Sequence, residues 1–253
     1  MRIKIFVLLC LTAIMQFTGV TPLKASHYYY KQLSLKDGVT SAVRCILTDK
    51  QGFVWIGTKA GISRYDGHEL KKYVHSPNNP HSIPNNLIHQ IAEDEMSNIW
   101  ILTDKGIARY QRQSDDFFLP TDEKGNPIIA YSTCLTKDGV LFGSKDKVYF
   151  YSYRDSSLRL LQKLNKGSNF NISLLSLWNE HTVLCCSRWQ GLALLDLKTG
   201  KHRLPPFDCG KEIMNMLIDS QNRIWIAPYN EGIKCFTHNG ELVKAYTTHS
   251  FRN

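Results

Sequence analysis

Asp49-Lys50-Gln51-Gly52-Phe53-Val54-Trp55-Ile56-Gly57-Thr58, followed after two residues by Gly61-Ile62-Ser63-Arg64-Tyr65, is the stretch whose reading decides the fold. It returns as Asp94-Glu95-Met96-Ser97-Asn98-Ile99-Trp100-Ile101-Leu102-Thr103 and then Gly106-Ile107-Ala108-Arg109-Tyr110. Asp, Trp, Gly and Tyr are each displaced by 45 residues between the two copies, for example 100 − 55 = 45 at the Trp. A third copy runs from Asp219 through Trp225 to Gly232 and Phe236. Two worn copies lie between, around Leu141 and Leu184, which take the Trp place. The series 55, 100, 141, 184, 225 therefore has steps of 45, 41, 43 and 41.

Each unit reads as short strands. Residues 43–47, 88–92 and 213–218 are apolar runs of strand length. The following Asp can accept from the backbone two residues on, and a Gly or Asn next to it tolerates a left-handed turn. The Asp thus opens a hairpin whose returning strand carries the Trp. Gly61, Gly106, Gly191 and Gly232 open a third strand, and residues 70–74 and 242–246 supply a fourth. Four short strands in roughly 40–45 residues is the period of a β-propeller blade. The expected fold is all-β: about five four-stranded blades in an incomplete or strained ring over residues 26–253. Trp55, Trp100 and Trp225 are expected to fill the space between blades. Asp49, Asp94 and Asp219 recur with the turn and so read as structural, as do Gly61, Tyr65, Gly106, Tyr110 and Gly232.

These residues resemble the two-component regulator propeller repeat. Ser82-Ile83-Pro84-Asn85-Asn86-Leu87-Ile88 is similar to its lead-in, and Gly61-Ile62-Ser63-Arg64-Tyr65-Asp66-Gly67 to its end. Lys31 to Val39 looks like the usual opening of such sensors. The likeness is strong over residues 28–110 and 213–236 and weak between. It implies the periplasmic sensor region of a hybrid two-component histidine kinase, whose relatives often recognise glycan fragments and signal as homodimers. On that plan the chain, which ends at Asn253, is expected to be an N-terminal piece without membrane and kinase modules. Residues 28–33 would be a ring-closing strand.

The remaining composition fits export. Met1-Arg2-Ile3-Lys4 is basic, residues 5–20 are apolar, and Ala25 follows Leu23-Lys24, which predicts a signal peptide over residues 1–25. That segment is short for a membrane span and is the one expected route to a membrane. Net charge is 31 − 22 = +9 for the whole chain. Without Arg2, Lys4 and Lys24 it is 28 − 22 = +6. This is a mild surface bias, or an attraction for an acidic ligand such as a uronic or sulfated sugar. No nucleic-acid-binding pattern is present. Cys45, Cys134, Cys185, Cys186, Cys209 and Cys235 form no CxxC pair and read as small buried hydrophobes, with one or two disulfides open in an exported protein.

Candidate ligand-binding residues lie in the loops after the Trp strands. Arg188, Trp189 and Gln190, and Tyr229, Asn230 and Glu231, combine aromatic faces with groups that bond hydroxyls or carboxylates. Arg44 and His89 occupy the same repeat position on the inner strand and could line a channel. All eight also fit ordinary polar positions. No catalytic residue, cofactor or metal is expected. Asp104 and Glu231 are single carboxylates without a discernible partner for hydrolysis, and no HxH, HExxH or Gly-x-Ser-x-Gly motif occurs. The expected function is therefore an extracytoplasmic ligand sensor. A stand-alone protein-binding scaffold is the alternative, and a propeller glycosidase or lyase a more distant one.

Overall fold

The computed structural model describes residues 42–164 and 170–247, all within one compact unit. The expected signal peptide and the strand expected over residues 28–33 lie outside the described residues. No helix among the described residues is long and apolar enough to cross a membrane.

Twenty strands form five four-stranded antiparallel sheets, each in simple chain order. Blade 1 is β1 (Val43–Thr48), β2 (Val54–Thr58), β3 (Gly61–Tyr65) and β4 (Leu70–Tyr73). Blade 2 is β5 (Ile88–Glu93), β6 (Ile99–Thr103), β7 (Gly106–Gln111) and β8 (Asp116–Phe118). Blade 3 is β9 (Ser132–Thr136), β10 (Gly139–Ser144), β11 (Lys147–Ser152) and β12 (Leu158–Lys163). Blade 4 is β13 (Ile172–Asn179), β14 (Thr182–Ser187), β15 (Gly191–Asp196) and β16 (His202–Arg203). Blade 5 is β17 (Ile213–Ile218), β18 (Ile224–Pro228), β19 (Ile233–Phe236) and β20 (Leu242–Tyr246).

The first strand of each blade is innermost. β1 lies beside β5, β9 beside β13, and β13 beside β17. Four hydrophobic cores fill the spaces between successive blades, and each draws residues from both neighbours. Strand alternation sends one face of a blade into the core ahead and the other into the core behind. Cys185 and Cys186 show this: the first lies in the core between blades 3 and 4, the second in the core between blades 4 and 5. All six described cysteines are free thiols. Burial pushes Cys186 up to about 12 and Cys134 to about 11, so these thiols pack rather than react.

The Asp turn does more than the sequence rule required. Asp49 Oδ1 accepts from the backbone of Gln51 (3.0 Å) and Phe53 (2.9 Å), while Oδ2 accepts from Trp55 Nε1 at 2.9 Å. Trp100 bonds Asp94 at 2.7 Å and Trp225 bonds Asp219 at 2.7 Å in the same way. The six-residue Asp-to-Trp spacing thus places a carboxylate on the indole N–H, which would otherwise be buried without a partner.

Trp55 and Trp100 face the next blade. Trp55 meets Tyr110 edge-on at 4.8 Å, and Trp100 meets Tyr151 edge-on at 4.8 Å. Arg64 reaches the Tyr110 hydroxyl, and Arg109 donates to the Tyr151 hydroxyl at 2.7 Å. The Arg-Tyr of the repeat is therefore split between interfaces: Arg reaches forward, Tyr is met from behind.

Blades 1 and 5 each keep one face that no other blade covers among the described residues. Ile233 on blade 5 is 45% exposed, although Ile62 at the same place in blade 1 is 0% exposed under blade 2. Ile46 on the opposite face of blade 1 is 64% exposed, against 7% for Ile91 in blade 2. Trp225 is half-buried, unlike Trp55 and Trp100.

Candidate functional site

Strand direction sorts the molecule into two ends. The Asp turns and the turns between third and fourth strands lie at one end. The starts of the inner strands, the loops between second and third strands, and the connectors between blades lie at the other. All eight candidate residues fall at this second end, the mouth.

A β-bulge starts the inner strand in four of the five blades. The pairing register skips between Val43 and Cys45, Ile88 and Gln90, Ile172 and Leu174, and Ile213 and Asn215. The skipped residues are Arg44, His89, Ser173 and Met214. A bulge leaves its extra residue outside the ladder and re-aims its side chain. The sequence placed Arg44 and His89 at equivalent positions; the bulge is the physical reason those positions present side chains at the mouth. Blade 3 has no bulge there, and Tyr131, just before β9, donates its N–H to the Gly143 carbonyl at 2.9 Å.

His89 does not stand alone. Its Nε2 lies 2.5 Å from Asp104 Oδ1, in the loop between β6 and β7, and its ring meets Tyr131 of blade 3 at 5.3 Å. Asp104, read from the sequence as a single carboxylate, faces an imidazole here. Their pairing was hidden because the two residues meet only once the β5–β6 hairpin is folded. Glu231 likewise gains a partner, Lys234 Nζ at 2.5 Å.

The other six candidates lie on two loops, one from blade 4 and one from blade 5, and Gln190 among them lines a cleft. Arg188, Trp189 and Gln190 join β14 to β15, and all three are exposed. The Arg188 guanidinium lies 5.1 Å over the Trp189 ring. Tyr229, Asn230 and Glu231 join β18 to β19; Asn230 takes a left-handed φ of 58°, which makes the tight turn. The connector between the blades holds the two loops together. Ile213 N–H donates to the Arg188 carbonyl at 3.0 Å, and Tyr229 N–H to the Glu212 carbonyl at 2.8 Å. A Cβ on Gly191 would stand 3.1 Å from the Gly210 carbonyl, which shows how closely the first loop abuts the connector.

Between Gln190 and this connector opens a cleft of about 710 Å³, walled by Leu204, Pro206, Phe207, Asp208 and Lys211. The sequence reading missed the connector as a wall, since its Pro-Pro-Phe stretch belongs to no strand. Trp189 is 64% exposed and Tyr229 53% exposed. Large aromatic rings held in solvent beside polar groups can cover an apolar ring face while those groups bond hydroxyls.

Residues 37–60 match the protein-family model described as two component regulator propeller. A histidine kinase (P4) of Formosa agariphila is 37% identical over 59 residues, which is 23% of this chain and 4% of that protein. The extracellular domain of a protein described as a hybrid two component system of B. thetaiotaomicron superposes with a TM-score of 0.68 at 20% identity, covering 83% of this chain and 30% of that one. The WD40 domain of Neurospora crassa Pan2 gives a TM-score of 0.56 at 15% identity, over 83% of this chain and 67% of that domain. The chain therefore spans less than a third of the two-component relatives it resembles. Residues 37–60 thus match one two component regulator propeller repeat, and the fold is similar to that of propellers, the extracellular domains of two-component systems among them.

Proposed function

We propose that this chain is the ligand-sensing propeller of an extracytoplasmic two-component receptor, and that it recognises a glycan fragment at the mouth between blades 4 and 5. The observation that carries this reading is the pair of solvent-held rings, Trp189 and Tyr229, on two loops tied to one connector, with Gln190 of the first loop lining a cleft of about 710 Å³. Neither ring is needed by the inter-blade cores, which are filled by other residues. The loops that bear them depart from the repeat, whereas a purely structural loop would follow it. Arg188, Gln190, Asn230 and Glu231 stand beside the rings as bonding groups for hydroxyls or a carboxylate. On this reading the chain binds and performs no chemistry, and its output is delivered through a histidine kinase.

Thermal denaturation of the purified chain against neutral and acidic oligosaccharides tests the proposal. A ligand that binds only the folded state adds about 2.7 kcal/mol at a hundredfold excess over Kd. At least one saccharide class should raise Tm, and Trp189→Ala and Tyr229→Ala should abolish that shift while leaving the ligand-free Tm in place. A shift that survives both substitutions would move the site elsewhere, and no shift with any saccharide would remove the glycan reading.

A further inference from the structure

We propose that the mouth at blades 1 to 3 is a second subsite that takes the acidic unit of the ligand, a hexuronate, with Arg44 and His89 as its recognising side chains. This deepens the sensor reading and rests on it.

The argument begins with placement. Arg44 and His89 are the bulge residues of β1 and β5, which lie side by side. Tyr131 follows at the start of blade 3, in ring contact with His89. Three consecutive blades thus offer a cation, an imidazole and an aromatic face along one rim. In blades 4 and 5 the bulge residues are Ser173 and Met214, so this chemistry occurs at blades 1 to 3 and is not part of the repeat.

Charge comes next. Arg44 is exposed and makes no ion pair among the described residues. Blade 1 carries Lys59 where blade 2 carries Asp104, so the rim beside Arg44 is cationic. The Asp104 carboxylate is already engaged by His89. A free guanidinium in this setting takes a carboxylate in two parallel hydrogen bonds.

His89 supplies orientation. Asp104 accepts from Nε2–H, which fixes the orientation of the ring. Nδ1 then remains for a hydroxyl of the ligand. The Tyr131 ring, 39% exposed, offers a face to the pyranose. A sugar ring bearing a carboxylate on one carbon and hydroxyls on its neighbours satisfies all three groups; a neutral hexose leaves Arg44 unused. Asp104 acts here through His89, as a positioning residue.

Isothermal titration of the purified chain with trigalacturonate and with neutral galactotriose tests the subsite. Arg44→Ala should weaken trigalacturonate at least tenfold and leave galactotriose within twofold. His89→Gln should weaken trigalacturonate severalfold. In ¹⁵N spectra of the imidazole, wild type should show Nε2 bearing its proton, and Asp104→Asn should shift that signal with a parallel loss of affinity. Trigalacturonate affinity unchanged in both Arg44→Ala and His89→Gln overturns the subsite. If galactotriose still binds through Trp189 and Tyr229 in that case, the sensor reading stands without it. If neither saccharide binds, the hexuronate subsite falls, and the glycan reading rests on the wider saccharide panel.

Discussion

Asp94 carries the tightest set of bonds in the repeat. It is buried, and its two oxygens accept from the Asn98 backbone (2.8 Å), from Asn98 Nδ2 (2.9 and 3.1 Å) and from Trp100 Nε1 (2.7 Å). Asp94→Ala leaves an indole N–H unpaired in a dry core and should cost about 2–4 kcal/mol, read as a lower urea midpoint with unchanged m. Asp49 is the same device with a second tie. Burial works against its charge, but hydrogen bonds from Trp55 and from Arg112 of blade 2 outweigh this and hold its carboxyl below the usual range. Asp115 shows the linkage to pH most clearly. Burial again opposes ionisation, yet Lys71, Tyr110 and Tyr73 bond the carboxylate and bring it down to about 2. The folded value lies below the unfolded value of about 3.9, so the ionised form stabilises the fold. That contribution is whole above about pH 4 and is lost as pH falls toward about 2. Asp115→Asn should therefore unfold more readily at pH 7 and show a flatter decline between pH 4 and 2 than wild type, followed by urea titration at each pH. Asp49, Asp94 and Asp219 were legible in the sequence as turn residues because the turn is local. Their bond to Trp was not, since it needs the hairpin's twist to bring position six back over position zero.

The strands themselves were the most legible level. β17 and β20 begin and end where the apolar runs do, and β1 and β5 extend the expected runs by one residue each. The worn blades become intelligible as pairs across an interface. Where blade 3 puts Leu141 in the Trp place, blade 4 puts Leu195 in the place of the Tyr that would meet it. Leu184 of blade 4 similarly meets Phe236 of blade 5. Both aromatic partners are replaced in the first pair and only the Trp in the second, and each core stays filled. The bulges were not legible, because an extra residue in a strand leaves the alternation of an apolar run almost intact. Close approach between blades was equally hidden. A Cβ on Gly57 would stand 2.5 Å from Cys45 Sγ and 2.8 Å from an Ile88 methyl carbon. Gly57→Ala should cost about 1–3 kcal/mol by forcing blades 1 and 2 apart, and adding Cys45→Ala should recover part of it. Equal stability of wild type and Gly57→Ala in urea would show that this interface has slack.

For the whole molecule, position among the blades should decide what a repeat residue is worth. Ile62 and Ile233 hold the same place, yet only Ile62 is covered by a following blade. Ile62→Thr should cost about 2–4 kcal/mol, whereas Ile233→Thr should stay within about 0.5 kcal/mol. Comparable losses from both would mean that the open face of blade 5 is covered in solution. The two ends of the strands should also differ in role. Asp turns and their ties across blades gather at one end; the departures from the repeat, Arg44, His89, Trp189 and Tyr229, gather at the mouth. The sequence paired Arg44 with His89 and grouped the two loops that follow Trp strands. What it could not supply was the bulge that presents the first pair or the cleft wall from the connector.

Hydrogen exchange of the purified chain, with and without the stabilising saccharide, tests this division of ends most directly. The account predicts slowed exchange in residues 187–190, 208–212 and 228–231 and at the starts of β1 and β5, with no change in the Asp turns at residues 49–53, 94–98 and 219–223. Protection centred on the Asp turns, or absent from the mouth loops while the ligand is bound, would contradict it.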